Sequence, residues 1–282
     1  MSKIRIDNGR VTGVVSKGKV IPCDAVILAT GGASYPATGS TGDGYDLAKS
    51  AGHTIIPIRQ ALVPLETSGD EAKKMDALNL RNINVRMFIN GKKKKEAFGE
   101  IVFAKFGVTG PTVLTLGGEA VDSLRAGHTV TLSLDLKPAL DDKKLDARLL
   151  RDIASRGKEQ VSSFLGGLVP RQMIPVCLKL TDIPVDRQAC DISAPERKRL
   201  RIWLKDFRMA VTGYRPFSEA IVTAGGIDTR EIDPRTMESK KTKGLFIAGE
   251  LLDVQADTGG YNLQAAFSTG WLAGRSAAQM TH

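Results

Sequence analysis

The most constraining feature of the chain lies near its C-terminus. There Gly244-Leu245-Phe246-Ile247-Ala248-Gly249-Glu250 is followed by Asp257-Thr258-Gly259-Gly260-Tyr261-Asn262-Leu263-Gln264-Ala265-Ala266. The first run reads as a buried strand ending in Ala-Gly-Glu, and the second as a Gly-Gly turn that opens a helix of small residues. A strand that stops at Gly249-Glu250 and a helix that starts at Gly259-Gly260 together form a cradle. The carboxylate accepts hydrogen bonds from ligand hydroxyls, and the free N–H groups of the helix start face an electron-rich ligand edge.

Composition narrows the setting. A length of 282 residues suggests about two domains, and an apolar fraction of 42% leaves material for a sizeable core. No apolar run reaches the ~18 residues of a membrane span and no signal-peptide pattern opens the chain, so no membrane partner is expected. Cys23, Cys177 and Cys190 have no metal-type spacing and leave an odd thiol, which fits a reduced, cytoplasmic compartment. The net charge of +9 invites a nucleic-acid reading. However, Lys92-Lys93-Lys94-Lys95 follows an Asn90-Gly91 hairpin signal, and Arg197, Lys198, Arg199, Arg201 and Lys205 sit on an amphipathic helix pattern. Both clusters read as solvated faces, and no zinc-finger spacing or RNA-binding aromatic signature accompanies them, which disfavours nucleic acid as the partner. A positive field equally attracts a phosphate-bearing cofactor or an anionic small-molecule substrate.

Organisation along the chain is discontinuous. Residues 4–6, 11–15 and 19–21, separated by Asn8-Gly9 and Lys17-Gly18, read as a β-meander. Residues 24–30 form an apolar run that suits a strand buried on both faces, and 45–51 read as a short helix. Strand-like pieces follow at 85–89, 100–103, 113–116 and 130–136, then helical periodicity at 143–156, 160–165, 171–180 and 195–207. After Phe217 the glycine-rich, buried-strand style of the beginning returns. The expected domains are therefore 1–61 with 209–282, a β-barrel insert at 62–136 and a helical insert at 137–208.

Three further motifs carry chemistry. Ala29-Thr30-Gly31-Gly32 lets a strand end where a nucleotide lies against its backbone, or is an ordinary tight turn. Tyr35-Pro36-Ala37-Thr38-Gly39-Ser40-Thr41-Gly42-Asp43-Gly44 can wrap N–H groups around an anion or a flavin edge, with Asp43 either facing the ligand or capping the following helix. Residues 218–227 read as a strand meeting Gly225-Gly226, where Thr223 either faces a bound ring or serves as an ordinary strand former. His53, His128 and His282 sit at turns or the terminus, and no Ser-His-Asp or His-Cys constellation is evident. The absence of an obvious protein acid or base is compatible with chemistry carried by a cofactor.

Together, residues 29–32, 34–44, 220–226, Thr236-Met237-Glu238-Ser239-Lys240 and 244–266 resemble the YhiN/BaiN-like flavoproteins, NAD(P)/FAD-dependent oxidoreductases with a branch described as aminoacetone oxidases. The resemblance implies an α/β fold with inserted modules: a glutathione-reductase-type FAD-binding domain interrupted by a β-barrel and a helical insert. It puts Thr30 and Gly31 near the adenosine end of FAD, and Tyr35, Thr38, Gly39, Gly42 and Asp43 around the flavin and its ribityl chain. Gly249 and Glu250 then lie along the ribityl–pyrophosphate stretch. Gly259, Gly260, Tyr261, Asn262 and Leu263 present N–H groups to the pyrimidine edge, with Tyr261 available to pack on the ring and Thr223 to face it.

Two departures from the family pattern stand out. No G-x-G-x-x-G occurs, and Met1 begins inside the meander, so a βαβ unit of at least about 30 residues is expected to be missing. A partner chain would supply it, or the chain is a truncated product or a fragment. Secondly, Ala104-Lys105-Phe106-Gly107-Val108-Thr109-Gly110-Pro111 stands where relatives commonly show Thr-His. The expected function is hydride transfer from NAD(P)H to FAD and on to an unknown acceptor, impaired by the missing unit. The alternatives are an FAD-dependent amine oxidase of the aminoacetone type, or a non-catalytic binding module.

Overall fold

The computed structural model describes residues 2–280, with elements numbered here in chain order. Two compact units divide them: Met1–Val63 with Arg215–His282, and Pro64–Tyr214.

The first unit begins with the antiparallel meander of β1 (Lys3–Asp7), β2 (Arg10–Ser16) and β3 (Lys19–Pro22). Asn8-Gly9 and Lys17-Gly18 all take positive φ, the two-residue hairpin geometry whose twist matches the strands it joins. Next come β4 (Val26–Leu28), α1 (Asp43–Ser50) and β5 (Ile55–Ala61). After the second unit the chain returns with β12 (Val222–Ile227), β13 (Leu245–Ile247) and α8 (Tyr261–Met280). Strand β13 pairs parallel to β4 and β12 pairs antiparallel to β5. The β12 ladder slips at Gly225, where φ is +79° and a Cβ would stand 2.4 Å from the Pro57 carbonyl oxygen. Leu28, Ala48, Ile227, Leu245, Ile247 and Leu251 anchor the core of this unit.

One expectation fails at β4. Val26 and Leu28 are buried but Ile27 is 42% exposed, so the strand buries one face rather than two. Side chains alternate along a strand, and only the face carrying Val26 and Leu28 meets the core.

The second unit is built on a closed six-stranded barrel in the order β10-β11-β6-β9-β8-β7. Its strands are β6 (Leu65–Thr67), β7 (Asn79–Ile89), β8 (Lys92–Ala104), β9 (Gly107–Thr109), β10 (Val130–Asp135) and β11 (Phe207–Tyr214). Its helices are α2 (Glu71–Lys74), α3 (Pro111–Arg125), α4 (Asp142–Arg156), α5 (Val161–Leu165), α6 (Ile174–Thr181) and α7 (Ala194–Lys205). Strand β11 comes from the far side of the helical stretch and pairs with both β10 and β6, which completes the ring. Met87, Phe103 and Leu132 of the barrel share one buried cluster with Leu149, Phe164 and Leu204 of the helices. From Pro64 on, the stretches expected as separate inserts at 62–136 and 137–208 fall within one unit because they bury their apolar faces on each other, while Leu62 and Val63 belong to the first unit.

Residues 113–116, read as strand, lie inside α3. Gly110 is the N-cap and Pro111 opens the helix, while Val113, Leu116, Ala120 and Val121 are buried at helical spacing. The Gly-Pro start signal outweighs the β-branched composition. At the β7–β8 turn Lys92, Lys93 and Lys94 are exposed, and Lys93 pairs with Glu96 at 2.7 Å. The basic face of α7 is largely engaged: Arg197 and Arg201 pair with Asp146 of α4, and Lys205 with Asp135 at 2.6 Å.

Candidate functional site

A cavity of about 680 Å³ opens in the first unit, beyond the C-terminal ends of the parallel strands β4 and β13. That position follows from topology, because a crevice forms where parallel strands end and the chain turns away. Ala29 and Gly31 after β4, and Ala248, Gly249 and Glu250 after β13, form one wall. Leu62, Ile221 and Val222 also line the cavity, with Leu252, Val254 and the first turns of α8. The walls are mostly aliphatic, with Phe267 of α8 among them. Added Cβ atoms at Gly260 and Gly270 would meet nothing within 4 Å, and one at Gly249 only Ala266 at 3.9 Å. These glycines leave room that side chains would otherwise occupy.

A hydrogen-bonded clasp holds the turn after β4 against this wall. Gly32 N–H donates to Glu250 Oε2 at 3.0 Å and Thr223 N–H donates to Oε1 at 2.8 Å. Thr223 Oγ1 accepts from Ala33 N–H at 2.8 Å and Ser34 N–H at 3.1 Å, and lies 3.0 Å from Ser34 Oγ. With both lone pairs of Oγ1 engaged by N–H donors, the Thr223 hydroxyl donates to Ser34 Oγ. A Cβ on Gly32 would come within 2.6 Å of Thr223 Oγ1 and 2.8 Å of Glu250 Oε2, so only glycine fits there. Tyr45 donates to the Glu250 carbonyl at 3.3 Å. Burial, reinforced by Glu250 and Asp253, pushes its phenol pKa upward. From α8, Thr269 Oγ1 accepts from Gly249 N–H at 3.0 Å and donates to the Ala265 carbonyl.

Residues 1–276 match the HI0933-like protein Rossmann domain. The chain belongs to this family. It is a family of flavoprotein oxidoreductases. Among curated relatives, the chain is 32% identical over 262 residues to the 3-dehydro-bile acid delta(4,6)-reductase of Clostridium scindens, covering 93% of the chain and 64% of the relative. It is 28% identical over 254 residues to the ribosomal RNA dihydrouridine synthase of Escherichia coli, covering 90% of the chain and 60% of that protein. The synthase of the same name from Haemophilus influenzae is 30% identical over 249 residues, 88% of the chain and 59% of the relative. The chain therefore spans about three-fifths of the length of these relatives.

In the first unit of this HI0933-like chain, seven of the anticipated residues line the cavity: Gly31, Gly249, Glu250, Gly259, Gly260, Asn262 and Leu263. The others sit elsewhere. Thr30 Oγ1 is buried beside Gly44 and has no hydrogen-bond partner among the described residues. Tyr35 is exposed with φ of +51° and, with Thr38 and Gly39, belongs to a single 3-10 turn whose Thr38 hydroxyl donates to the Tyr35 carbonyl. Gly42, with φ of +83°, is the N-cap of α1. Asp43 is the first helical residue and makes no side-chain cap bond, which corrects the capping reading. Thr223 is only 1% exposed and points into the clasp. Tyr261 is exposed and stands over Gly259. Asn262 exchanges two hydrogen bonds with the Ala256 backbone, at 2.8 and 2.9 Å, and so pins the loop before α8. The sequence reading did not single out Leu62, Ile221, Thr269 or Gly270; nothing but their packing marks them.

The histidine reading also changes. His53 is 3% exposed rather than at a surface turn. Its Nδ1 lies 3.0 Å from Glu231 Oε2 and its Nε2 lies 2.8 Å from Ser239 Oγ. An ionised carboxylate only accepts, so Nδ1 carries the proton and Nε2 accepts from the serine. The result is a Ser-His-Glu array, but Ser239 is buried and its Oγ accepts from the Lys241 and Thr242 N–H groups, so it is a structural pin rather than a nucleophile. His128 is exposed, with Nδ1 3.0 Å from Asn90 Nδ2; His282 lies outside the described residues. Among the described residues no cluster of His, Cys, Asp and Glu could hold a metal ion, and no helix is long and apolar enough to cross a membrane.

Proposed function

We propose that the first unit holds FAD in a reductase that takes electrons from NAD(P)H and adds hydrogen across an electron-poor carbon–carbon double bond. The observation that carries this reading is the cavity of about 680 Å³ whose wall is set by Gly31, Gly249, Gly260 and Gly270. Backbone at these positions can lie flat against a ring system. The mostly aliphatic lining suits the apolar face of a ring system, and the exposed side chains of Leu263 and Phe267 leave the cavity open to solvent on the α8 side. The N–H groups of Tyr261, Asn262 and Leu263 precede the first intrahelical bond of α8, from Gln264 N–H to the Gly260 carbonyl. They and the helix dipole favour negative charge at this end of the cavity. FAD, when bound, supplies the hydride-accepting and hydride-donating chemistry. The residues of this chain orient it.

The acceptor class rests on the relatives. The names of the bile acid delta(4,6)-reductase and of the dihydrouridine synthases both describe reduction of a carbon–carbon double bond conjugated to a carbonyl. The balanced reaction consumes NAD(P)H, one proton and the alkene, and yields NAD(P)+ and the saturated bond. A glutathione-reductase-type arrangement of the FAD domain belongs to the same proposal.

The test is an FAD titration of the purified chain followed by visible absorbance and flavin fluorescence, then anaerobic addition of NADPH or NADH. A shifted two-band spectrum that bleaches with the nicotinamide supports the proposal. Bleaching by an amine but not by NAD(P)H would replace it with the amine-oxidase reading. Flavin that stays free in solution would overturn it for this chain.

A further inference from the structure

We propose that Thr223 and Glu250 are positioning residues, whose function is to preset the backbone of residues 32–34 so that the adjoining glycine turn keeps the cavity wall in a ligand-ready shape. The inference rests on the flavin reading above and concerns the same site. Three segments far apart in the chain meet here: Gly32 is 218 residues from Glu250, and Ala33 is 190 from Thr223. No local preference of the sequence brings them together, so the geometry is imposed by this side-chain network.

The network fully engages the acceptor sites of Thr223 and uses one on each oxygen of Glu250. Thr223 is 1% exposed and uses both lone pairs on the N–H groups of Ala33 and Ser34. It cannot touch a ligand, yet without it two backbone donors lose their acceptor in a place with little water. Glu250 lines the cavity, and each carboxylate oxygen accepts one backbone N–H, from Gly32 and from Thr223, with a further lone pair left on each. The carboxylate thereby ties the turn and β12 together. Gly31, with φ of +77°, is the cavity-lining residue next to this array. Releasing residues 32–34 frees Gly31 to leave the wall.

Thr223→Val keeps the side-chain volume and deletes the acceptor, whereas Thr223→Ser retains it. Two readouts are taken on the full chain: the dissociation constant for FAD, and amide hydrogen exchange resolved to single residues. Thr223→Val should weaken FAD binding by about tenfold or more, the scale of one or two buried donors left unsatisfied. Its exchange should rise at Ala33 and Ser34 while the barrel amides of β10 stay protected. Thr223→Ser should restore both readouts to within about twofold, well inside the change that one lost hydrogen bond makes. Glu250→Gln puts an amide donor against one of the two backbone donors. It should expose the Gly32 or Thr223 amide and weaken FAD binding in the same direction, which covers the case in which Thr223→Val does not fold. Wild-type affinity in a variant whose amides 33 and 34 exchange freely would overturn the positioning role. Undiminished protection in Thr223→Val would overturn the clasp itself. If the wild type binds no FAD, the functional reading fails separately, and the exchange data still decide the clasp.

Discussion

His53 Nδ1 and Glu231 Oε2, 178 residues apart in the chain, lie 3.0 Å from each other in the buried seam between the end of α1 and the turn after β12. Burial pushes the imidazole pKa below its ordinary value, and Lys241 works in the same direction against the pull of Glu231. Burial alone would raise the Glu231 carboxyl, but Lys241, Thr54 and His53 outweigh it and hold the group at about 2. The contact is therefore a hydrogen bond between a neutral imidazole and a carboxylate at neutral pH.

The two groups titrate in separate windows. The unfolded chain protonates its histidine near pH 6.5 while the folded chain resists, so stability falls as the pH drops below about 6.5 toward the depressed value of His53. Glu231 stabilises the fold above its ordinary 4.5, and that contribution is lost as the pH falls from there toward about 2. Melting temperature recorded from pH 8 to pH 5 should decline in the wild type and decline less in His53→Gln. Equal slopes would mean that His53 is not the group responsible.

Gly270→Leu separates binding from folding. The position is helical, lines the cavity, and a Cβ there meets nothing within 4 Å, so a larger side chain starts into open space at the cavity's edge. Helix propensity should raise stability by up to about 1 kcal/mol. FAD affinity should fall by at least about tenfold, equivalent to ~1.4 kcal/mol. A thermal melt beside an FAD titration reads both, and unchanged affinity would remove α8 from the binding wall.

Gly32→Ala tests the closest approach in the clasp. Its Cβ would stand 2.6 Å from Thr223 Oγ1, closer than side chains pack, so the turn must move. Destabilisation of about 1–3 kcal/mol is expected, in the range of other overpacking changes. Chemical denaturation measures it, and a neutral result would show that the turn gives way freely.

The three thiols should react in a fixed order. Cys190 is exposed, Cys23 is partly buried, and Cys177 is buried with its thiol pushed up to about 12 by loss of solvation. Burial and the neighbouring Asp24 also raise Cys23. A thiol reagent under native conditions should modify Cys190 fast, Cys23 slowly and Cys177 only on unfolding. Rapid modification of Cys177 would contradict the packing of α6.

Much of the local structure is legible in the residues themselves. Asn8-Gly9, Lys17-Gly18 and Asn90-Gly91 announce hairpins because few residues tolerate positive φ, and all six adopt it. The capping box of Ser193 and Glu196 opens α7 where the amphipathic pattern begins. The cradle at Gly249-Glu250 and Gly259-Gly260 is legible for the same reason: glycines and a strand end leave few alternatives, and all four residues line one cavity. The strand expected at residues 113–116 misled because short apolar runs look alike in a helix and a strand until a start signal is weighed.

Tertiary structure alone decided the partners. Nothing near Glu250 in sequence foretells that its oxygens bind the N–H groups of Gly32 and Thr223, or that the sixth barrel strand, β11, follows four helices. His53 looks like a turn residue because Gly52 precedes it, and it is buried because Glu231 and Ser239 arrive from the other end of the chain. Backbone preferences act over a few residues and can be read directly. Side-chain acceptors meet donors about 200 positions away only after the apolar core has brought the two ends of the first unit together.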